Sequence, residues 1–311
     1  MKDKGENQKN LPLVTVLLPV RNGEKWIRES LESLKAQTFT DFEVLLIDDG
    51  STDNSIVIAQ ECQVPGLRIL TGPRQGLARA LEFGVNNSRG SLIARQDQDD
   101  VSLPQRLERQ VHILECNSEI LLLGSRALEI DEEGKIIGTI KVPSSNESIS
   151  QNLILFNPFI HSSVMFRKWA VVQVGNYWAP SSEPYPEDFD LWSRICALGE
   201  CRNTEETLIK YRRTATSLMA TAQGSLAKGG SQIAIKNFKH VLGGKVLSPK
   251  EEVLISFFYV RDRKISLNEA VRLGTLLLRA RFASGFRATR GGLPLRTYLA
   301  PFKWVFVVQA H

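Results

Sequence analysis

The sequence predicts an α/β fold with a mostly parallel sheet, helices on both faces of that sheet, and a helical extension at the C-terminal end. Short apolar runs alternate with segments of helical apolar spacing through the first 95 residues, in the order β-α-β-α-β-α-β that is typical of a parallel sheet. Two of these runs end in clustered acids. A different composition, apolar and basic, begins after residue 231.

Four buried strands are predicted in the first third of the chain, because each run is apolar nearly throughout and is followed by turn-forming or polar residues. They cover residues 13–18, 42–47, 67–70 and 91–95. Helices are predicted over 24–37 and 76–87, where apolar residues recur every three or four positions. Ser51 is a candidate N-cap for a helix between the second and third strands.

The next hundred residues mix both kinds of element. Ser102 and Gln105 have the spacing of a capping box, which predicts a helix that runs to about residue 116. Residues 120–130 and 135–142 flank an Asp-Glu-Glu-Gly turn and predict a hairpin. The remaining pattern predicts helices over 148–156, 168–174 and 186–198, strands over 159–166 and 208–213, and a loop over 177–185.

The C-terminal part of the chain is strongly basic. Residues 225–311 contain 15 Lys and Arg but 4 Asp and Glu, a net charge of +11, which leaves −6 on residues 1–224 of a chain that carries +5. Residues 215–231 are rich in Gly, Ser and Ala and predict a linker. We therefore expect a polar tail over 1–11, the α/β domain over 12–214, the linker over 215–231 and a basic helical region over 232–311, with helices at 249–259, 267–282 and 295–309.

Composition favours a soluble globular protein, with 42% hydrophobic and 23% charged residues. The first ten residues are polar and lack the apolar core of a secretory signal, and no apolar run approaches the ~20 residues of a spanning helix. The four cysteines are scattered, without a C-x-x-C pair, which favours reduced thiols and offers no metal framework. We expect a cytoplasmic protein.

The run 92–100 carries the strongest chemical signal. It begins apolar and ends in Asp97, Asp99 and Asp100, so a buried strand delivers three carboxylates to the sheet edge where ligands of open α/β sheets bind. Clustered carboxylates repel unless a cation or hydrogen-bond donors lie among them. Hard oxygen ligands suit Mg²⁺ or Mn²⁺, which share their coordination with substrate phosphates. The alternative is a solvated acidic turn before a helix.

Six segments, in order, resemble the inverting nucleotide-sugar glycosyltransferases of family 2, which have the GT-A fold and its Rossmann-like nucleotide-binding sheet. The segments are 16–23, 47–53, 76–81, 94–100, 158–165 and 187–192. Each motif alone is weak, whereas six in order are specific. The resemblance implies metal-assisted transfer, with inversion, from a nucleotide-diphosphate sugar such as a UDP-sugar to a hydroxyl of a glycan or lipid-linked acceptor, in cell-surface polysaccharide or glycolipid biosynthesis.

The resemblance also implies roles for individual residues. Asp99 matches the metal-ligand position, and Asp97 faces the ribose and the metal. Asp188 matches the base that accepts the acceptor's proton, supported by Glu187. The predicted nucleotide-sugar-binding residues are Pro19, Val20, Arg21, Asn22, Asp48, Asp49, Ser51, Arg79, Arg95, Asp97, Gln98 and His161.

Each role has a structural alternative. Asp49 could accept a hydrogen bond from a base such as uracil, or could be a turn acid. Arg79 and Arg95 could neutralise a diphosphate, or form salt bridges at the surface. Acids at 187 and 188 are also favoured by the dipole at a helix N-terminus, and His161 could be a core histidine.

Two positions depart from the family pattern. Glu82 stands where the family usually has Asn. Thr214 stands where a His commonly joins the metal or phosphate shell, which removes one expected ligand.

Other classes fit the sequence less well. A dehydrogenase would have G-x-G-x-x-G after the first strand, where Pro-Val-Arg-Asn-Gly stands instead. A sugar nucleotidylyltransferase would open with a Gly-rich phosphate loop. A non-catalytic scaffold that binds nucleotide sugars or an anionic surface stays open, and nucleic acid is not an expected partner. The basic region could dock on anionic lipid as a peripheral membrane contact, or could pack on the domain.

Overall fold

The computed structural model describes residues 11–180, 184–215, 221–260 and 267–283. The strands are β1 (Val14–Val20), β2 (Phe42–Asp48), β3 (Leu67–Thr71), β4 (Leu92–Arg95), β5 (Val101–Ser102), β6 (Ile120–Ile130), β7 (Ile136–Ile140), β8 (Met165–Arg167) and β9 (Glu200–Arg212). The helices are α1 (Ile27–Lys35), α2 (Ser55–Glu61), α3 (Leu77–Asn87), α4 (Arg106–Cys116), α5 (Asn146–Leu153), α6 (Lys168–Gln173), α7 (Glu187–Leu198), α8 (Gln223–Val241), α9 (Pro249–Val260) and α10 (Leu267–Ala283), and His161–Ser163 forms a 3-10 turn.

One sheet contains the nine strands of the described residues, in the order β3-β2-β1-β4-β8-β6-β9-β5, with β7 paired to β6. Neighbours among β3, β2, β1 and β4 are parallel, whereas β8 is antiparallel to both β4 and β6. The chain moves from β1 to β2 and β3 and then places β4 on the other side of β1. The strand order therefore reverses between β1 and β4, and ligands of open α/β sheets bind at the carboxyl ends of strands at such a reversal.

The two faces of the sheet carry separate apolar cores because side chains alternate along each strand. In β1, Val16 and Leu18 share a core with α1 and α4, whereas Leu17 shares the other core with α3 and α7. Helices thus cover both faces, and the predicted fold class, a mostly parallel α/β sheet with a helical C-terminal extension, is confirmed.

One predicted strand is wrong over most of its length. Of residues 159–166 only the last two lie in a strand, β8, and the middle forms the 3-10 turn. The Ser163 hydroxyl donates to the Ile160 carbonyl (2.8 Å) and the Ser163 N–H donates to the same oxygen (2.9 Å), which closes the turn. Local bonds from Ser compete with strand pairing in this way.

Neither predicted helix cap forms. Ser51 lies four residues before α2 begins, and its Oγ accepts from the Asn22 N–H (3.2 Å). Ser102 lies in β5, where its hydroxyl donates to Gln96 Oε1 (2.8 Å), and α4 begins four residues later. Both side chains hold loops instead of helix ends.

The predicted linker is wrong for residues 223–231, which form the first half of α8. Gly229 and Gly230 lie where α8 approaches Tyr185 and Tyr259, so these small residues permit close packing. Ile233 belongs to the same apolar core as Trp192, so α8 packs on the α/β domain.

The rest of the C-terminal prediction agrees where it can be compared. The helices predicted at 249–259 and 267–282 are α9 and α10, and the helix predicted at 295–309 lies outside the described residues. In the part of the chain that the structure describes, no helix has both the length and the apolar character needed to cross a membrane.

Candidate active site

Side chains tie together the loops that follow β1 and β2. Asn22 has a φ of 52°, and its Oδ1 accepts from the Thr52 N–H (2.8 Å). The Asn22 N–H donates to Ser51 Oγ (3.2 Å), which is a second contact between the two loops. Asp48 Oδ1, at the end of β2, accepts from the Ser51 N–H (2.8 Å). The sequence predicts that Asn22, Asp48 and Ser51 contact the nucleotide. In the structure their side-chain oxygens accept hydrogen bonds that hold the loops in place.

A second link joins the β1 loop to the acidic loop after β4. Pro19 and Val20 are buried at the end of β1, and Arg21 is exposed. The Arg21 N–H donates to Gln98 Oε1 (2.9 Å), and the Arg21 carbonyl accepts from Gln98 Nε2 (3.3 Å). Gln98 therefore holds the acidic loop against the β1 loop, where the strand order reverses. Gly23 lies next to it, and a Cβ added to Gly23 would lie 2.7 Å from Gln98 Oε1.

Asp49 directly follows β2 and is buried. Its carboxylate is 5% exposed, and Oδ2 accepts from the Gly76 N–H (2.9 Å). Oδ1 is buried without a hydrogen-bond partner among the described residues. An unpaired buried acceptor is unfavourable, so a ligand that donates an N–H fits this oxygen.

The two predicted phosphate-binding arginines lie in different environments. Arg79 forms an ion pair with Glu82 (2.7 Å) on the exposed side of α3, beside a cavity of about 220 Å³. Arg95 is fully buried, and its Nη2 donates to Asp97 Oδ1 (2.6 Å). The ion-pair alternative thus describes Arg79, whereas Arg95 acts on the acidic loop from the interior.

The three acids of that loop also differ. Asp97 has a side chain that is 30% exposed, and Asp99 is partly buried. Burial raises the pKa of Asp99 to about 6, and the charge of Asp97 adds to the rise. Asp100 is 1% exposed, and its Oδ1 accepts from the Arg212 N–H (2.8 Å), so it anchors the loop.

Arg106, in the first turn of α4, is a fully buried cation that the sequence reasoning missed. Its guanidinium donates to Gln96 Oε1 (2.8 Å), Ser102 Oγ (2.9 Å) and the Arg95 carbonyl (2.6 Å). Gln110 accepts from its Nε (3.2 Å). The signal available in the sequence is the polar pair 106 and 110, which falls at i,i+4 among the inward apolar positions of α4.

Arg212, at the end of β9, was also missed. Its Nε donates to the Asp99 carbonyl (2.9 Å), and its Nη2 lies 2.5 Å from Glu29 on α1. Its Nη1 donates to the carbonyls of Asp131 and Glu132 in the β6–β7 turn (3.1 Å each). One side chain thus joins the acidic loop to α1 and to the hairpin.

Asp97 and Asp99 are the two acids of this loop that could hold a cation. Among the described residues no group of three or more His, Cys, Asp or Glu is placed to hold a metal ion, and Thr214 is 8% exposed at the position of the family His. Magnesium is commonly bound by one or two carboxylates together with substrate phosphates. Asp97 and Asp99, whose mutual repulsion a cation would relieve, fit that arrangement.

Glu187 and Asp188 are the first two residues of α7. Asp188 Oδ2 accepts from Asn157 Nδ2 (2.7 Å), and its Oδ1 accepts from the Phe189 N–H (2.7 Å). Burial raises the pKa of Asp188 to about 6. Burial, followed by the charge of Asp188, raises the pKa of Glu187 to about 8. Asn157 was missed, although it directly precedes the segment 158–165.

His161 lies behind these acids. Its Nε2 is 3.1 Å from the Tyr177 hydroxyl, and its Nδ1 is 3.8 Å from Glu187 Oε1. Burial lowers the pKa of His161 well below its usual value, so it is neutral at pH 7. Trp192 packs edge-on against both His161 (5.9 Å between ring centroids) and Tyr177 (6.1 Å). His161 is thus a partly buried histidine close to Glu187.

The two sides of the crevice share one electrostatic environment. After burial, the charge of Asp97 contributes to raising the pKa of Glu187 and of Asp188. The Arg95 guanidinium opposes that rise, and it also opposes the rise at Asp99. The predicted metal-side and base-side acids therefore lie near enough to influence one another's pKa, and the charge of the buried Arg95 acts on both sides.

Comparisons with known proteins find relatives among glycosyltransferases. The sequence profile of "Glycosyl transferase family 2" matches residues 15–173. The chain is 34% identical to the amylovoran biosynthesis glycosyltransferase AmsE of Erwinia amylovora, over 64% of this chain and 76% of that protein. It is 33% identical to the O-antigen biosynthesis glycosyltransferase WbnJ of Escherichia coli, over 65% of this chain and 80% of that protein.

Two solved structures share the fold at low sequence identity. Residues 1–349 of S. aureus TarS, in complex with UDP-GlcNAc, superpose with a TM-score of 0.63 at 16% identity, over 86% of this chain and 81% of that one. The mannosyltransferase PcManGT of Pyrobaculum calidifontis, in complex with GDP-Man and Mn²⁺, gives 0.54 at 15% identity, over 98% and 83%.

Proposed function

Because this chain belongs to glycosyltransferase family 2 and has the GT-A fold, we propose that it transfers a sugar, with inversion, from a nucleotide-diphosphate sugar to a hydroxyl of a glycan or lipid-linked acceptor. The named relatives act in amylovoran and O-antigen biosynthesis, and the proposed product is likewise a cell-surface polysaccharide or glycolipid. The observation that carries the proposal is the electrostatic environment that Asp97, Glu187 and Asp188 share, in which the buried Arg95 guanidinium acts on the acids of both sides.

The proposed donor is a UDP-sugar. Asp49 has one free buried acceptor oxygen at the end of β2, suited to the N–H of a base such as uracil. TarS, which shares the fold, is solved with UDP-GlcNAc and with UDP. The loops fixed by Asn22, Ser51 and Gln98 would frame the nucleotide through their backbone.

Asp97 and Asp99 would hold Mg²⁺ or Mn²⁺, which, when bound, supplies positive charge to the departing diphosphate. The protein's own part on this side is to keep the two carboxylates in place. Arg95 does so by donating a hydrogen bond to Asp97 Oδ1. Arg212 does so by donating to the Asp99 carbonyl and to Asp100 Oδ1.

Asp188 is the proposed base. In a single displacement the acceptor oxygen bonds to the anomeric carbon, its proton passes to Asp188, and the bond to the diphosphate breaks with its electron pair. Burial raises the pKa of both acids, to about 6 for Asp188 and to about 8 for Glu187, where the charge of Asp188 adds to the rise. Asp188 is therefore the more readily ionised of the two, which supports the assignment.

We also propose that residues 12–214 form the catalytic domain and that the basic region, +11 over residues 225–311, makes a peripheral contact with anionic lipid on the cytoplasmic face. Packing of α8 on the domain is compatible with such a contact, because the exposed sides of α9 and α10 still carry Lys250 and Arg272.

The proposal is tested by release of UDP or GDP from a panel of UDP-GlcNAc, UDP-glucose, UDP-galactose and GDP-mannose, with and without MnCl₂. We expect one UDP-sugar to be hydrolysed in a metal-dependent manner. Binding of UDP-sugars without any turnover, in the presence of metal and extracts that contain acceptor glycans, would contradict the enzymatic proposal and favour the scaffold.

A further inference from the structure

The C-terminal helices contact both of the segments that hold Asp188 in position. One segment, residues 153–157, ends in Asn157, which donates to Asp188 Oδ2 (2.7 Å). The other, residues 185–187, leads into the first turn of α7. The family profile ends at residue 173, so it assigns no role to α7 or to the helices that follow.

The backbone of α8 lies directly against the start of α7. A Cβ placed on Gly229 would lie 2.6 Å from Pro186 Cδ and 2.8 Å from Tyr185 Cδ2. Pro186 Cδ is bonded to the backbone nitrogen, so it cannot move aside without moving the backbone next to Glu187. The Tyr185 carbonyl accepts from the Glu187 N–H (2.9 Å), so a shift of Tyr185 reaches the first residue of α7.

Other contacts hold the Asn157 segment. Asn237 Nδ2, in α8, donates to the Leu153 carbonyl (2.6 Å) and to Ser193 Oγ in α7 (2.9 Å). The Tyr259 hydroxyl, in α9, donates to the Leu155 carbonyl, two residues before Asn157. Leu155 is also buried in the apolar core that α8, α9 and α10 share.

We propose that α8 and α9 are a positioning element for the base: they fix the Asn157 segment and the first turn of α7 relative to each other and so hold Asp188 at the acceptor side. The inference rests on the proposed role of Asp188. Gly229 and Asn237 are positioning residues, because they act through Pro186, Leu153 and Ser193. The donor side depends on separate contacts, those of Arg95, Arg106 and Arg212, and should not respond.

A pair of glycine substitutions isolates the contact. Gly229→Ala and Gly224→Ala both replace a glycine of α8 with a better helix former. Gly224 has no atom within 4 Å of the added Cβ, whereas Gly229 meets Pro186 and Tyr185. Asn237→Ala removes the second contact without adding bulk, and the full-length chain carries each change.

Three measurements need no identified acceptor. They are hydrolysis of the panel donor that the wild type cleaves fastest, the Kd of UDP by calorimetry, and hydrogen–deuterium exchange of residues 185–190. In Gly229→Ala and Asn237→Ala we expect hydrolysis to slow about tenfold or more, because small misplacements of a catalytic group are costly. Exchange at the start of α7 should quicken, and the Kd of UDP should not change. Gly224→Ala should behave as the wild type.

Asp188→Asn, measured in parallel, separates the two proposals. If it slows hydrolysis while Gly229→Ala and Asn237→Ala keep wild-type rates, the positioning role is wrong and the base stands. If Asp188→Asn itself keeps the wild-type rate, the base assignment fails and the inference fails with it. Loss of UDP affinity in both α8 variants would also overturn the inference, because the effect would then not be confined to the base.

Discussion

Replacing Asp188 with Asn removes the charge of the proposed base while its size hardly changes. The wild-type carboxyl has a pKa of about 6, so its ionised fraction rises about tenfold between pH 5 and pH 7. Hydrolysis, as kcat/KM, should rise with it over this interval. Asp188→Asn should lower the rate at pH 7 by about 10²–10⁴, the usual contribution of a general base, and should flatten this limb of the pH profile.

The structure also predicts that Asp188→Asn lowers the stability of the fold, although Asp and Asn are nearly identical in size. The two oxygens of Asp188 accept from two different donors, Asn157 Nδ2 and the Phe189 N–H. An Asn side chain offers one acceptor, so one of these donors loses its partner, at about 1–3 kcal/mol. Urea unfolding should record that loss, and rates should be compared at temperatures where both proteins are folded.

Glu187→Gln is the matched control. Glu187 has a pKa of about 8 and is mostly protonated at pH 7, and Gln resembles the protonated form, so we expect little change in rate or in the Kd of UDP. Should Glu187→Gln abolish hydrolysis while Asp188→Asn keeps both its rate and its pH dependence, the base is Glu187. Should both variants keep wild-type rates, the acids only stabilise the start of α7.

Asp99→Asn should abolish metal-dependent turnover, and wild-type turnover in saturating MnCl₂ would reject the metal-site assignment. The pKa of Asp99 in the folded protein, about 6, lies above its unfolded value. The stability that this acid contributes below pH 4 is therefore lost as pH rises through 6. In protein without metal, the melting temperature of the variant should exceed that of the wild type by more at pH 8 than at pH 4. Asp49→Ala should weaken UDP and UDP-sugar roughly ten- to hundredfold and by the same factor in calorimetry, and an unchanged Kd would remove Asp49 from the base pocket. Arg106→Met should lower the free energy of unfolding by about 1–3 kcal/mol in urea, because it removes the donor to the buried Gln110 Oε1 and to the Arg95 carbonyl; an unchanged midpoint would contradict this.

Local pattern predicted well where the acids of the proposed donor side lie, because these acids directly follow the ends of strands. Asp97 and Asp99 follow an apolar run that is β4, and Asp49 follows β2, so periodicity alone placed these acids at one edge of the sheet. The same reasoning predicted α7 and the two acids that open it.

Contacts between distant residues could not be predicted in this way. Asn157 lies 31 positions from Asp188, and Arg106 lies 58 from the Val164 carbonyl to which it donates. Residues around Gly229 resemble a linker because Gly and Ser are common in linkers. In the structure they lie in a helix, and the close approach of this helix to Pro186 requires a small residue at this position. The helix dipole favours an ionised Asp188, but burial is the larger influence on its pKa.

The position of Arg212 limits how this protein can be recombined with its relatives. The family profile ends at residue 173, which suggests a chimera that keeps the donor half and exchanges everything after it. Such an exchange would also replace Arg212, which supports the Asp99 backbone and Asp100 from the end of β9. The unit that can be exchanged without disturbing the acidic loop is therefore the internal stretch from the end of α6 to the end of α7, together with the α8 contacts that hold it, while β9 stays with the donor half.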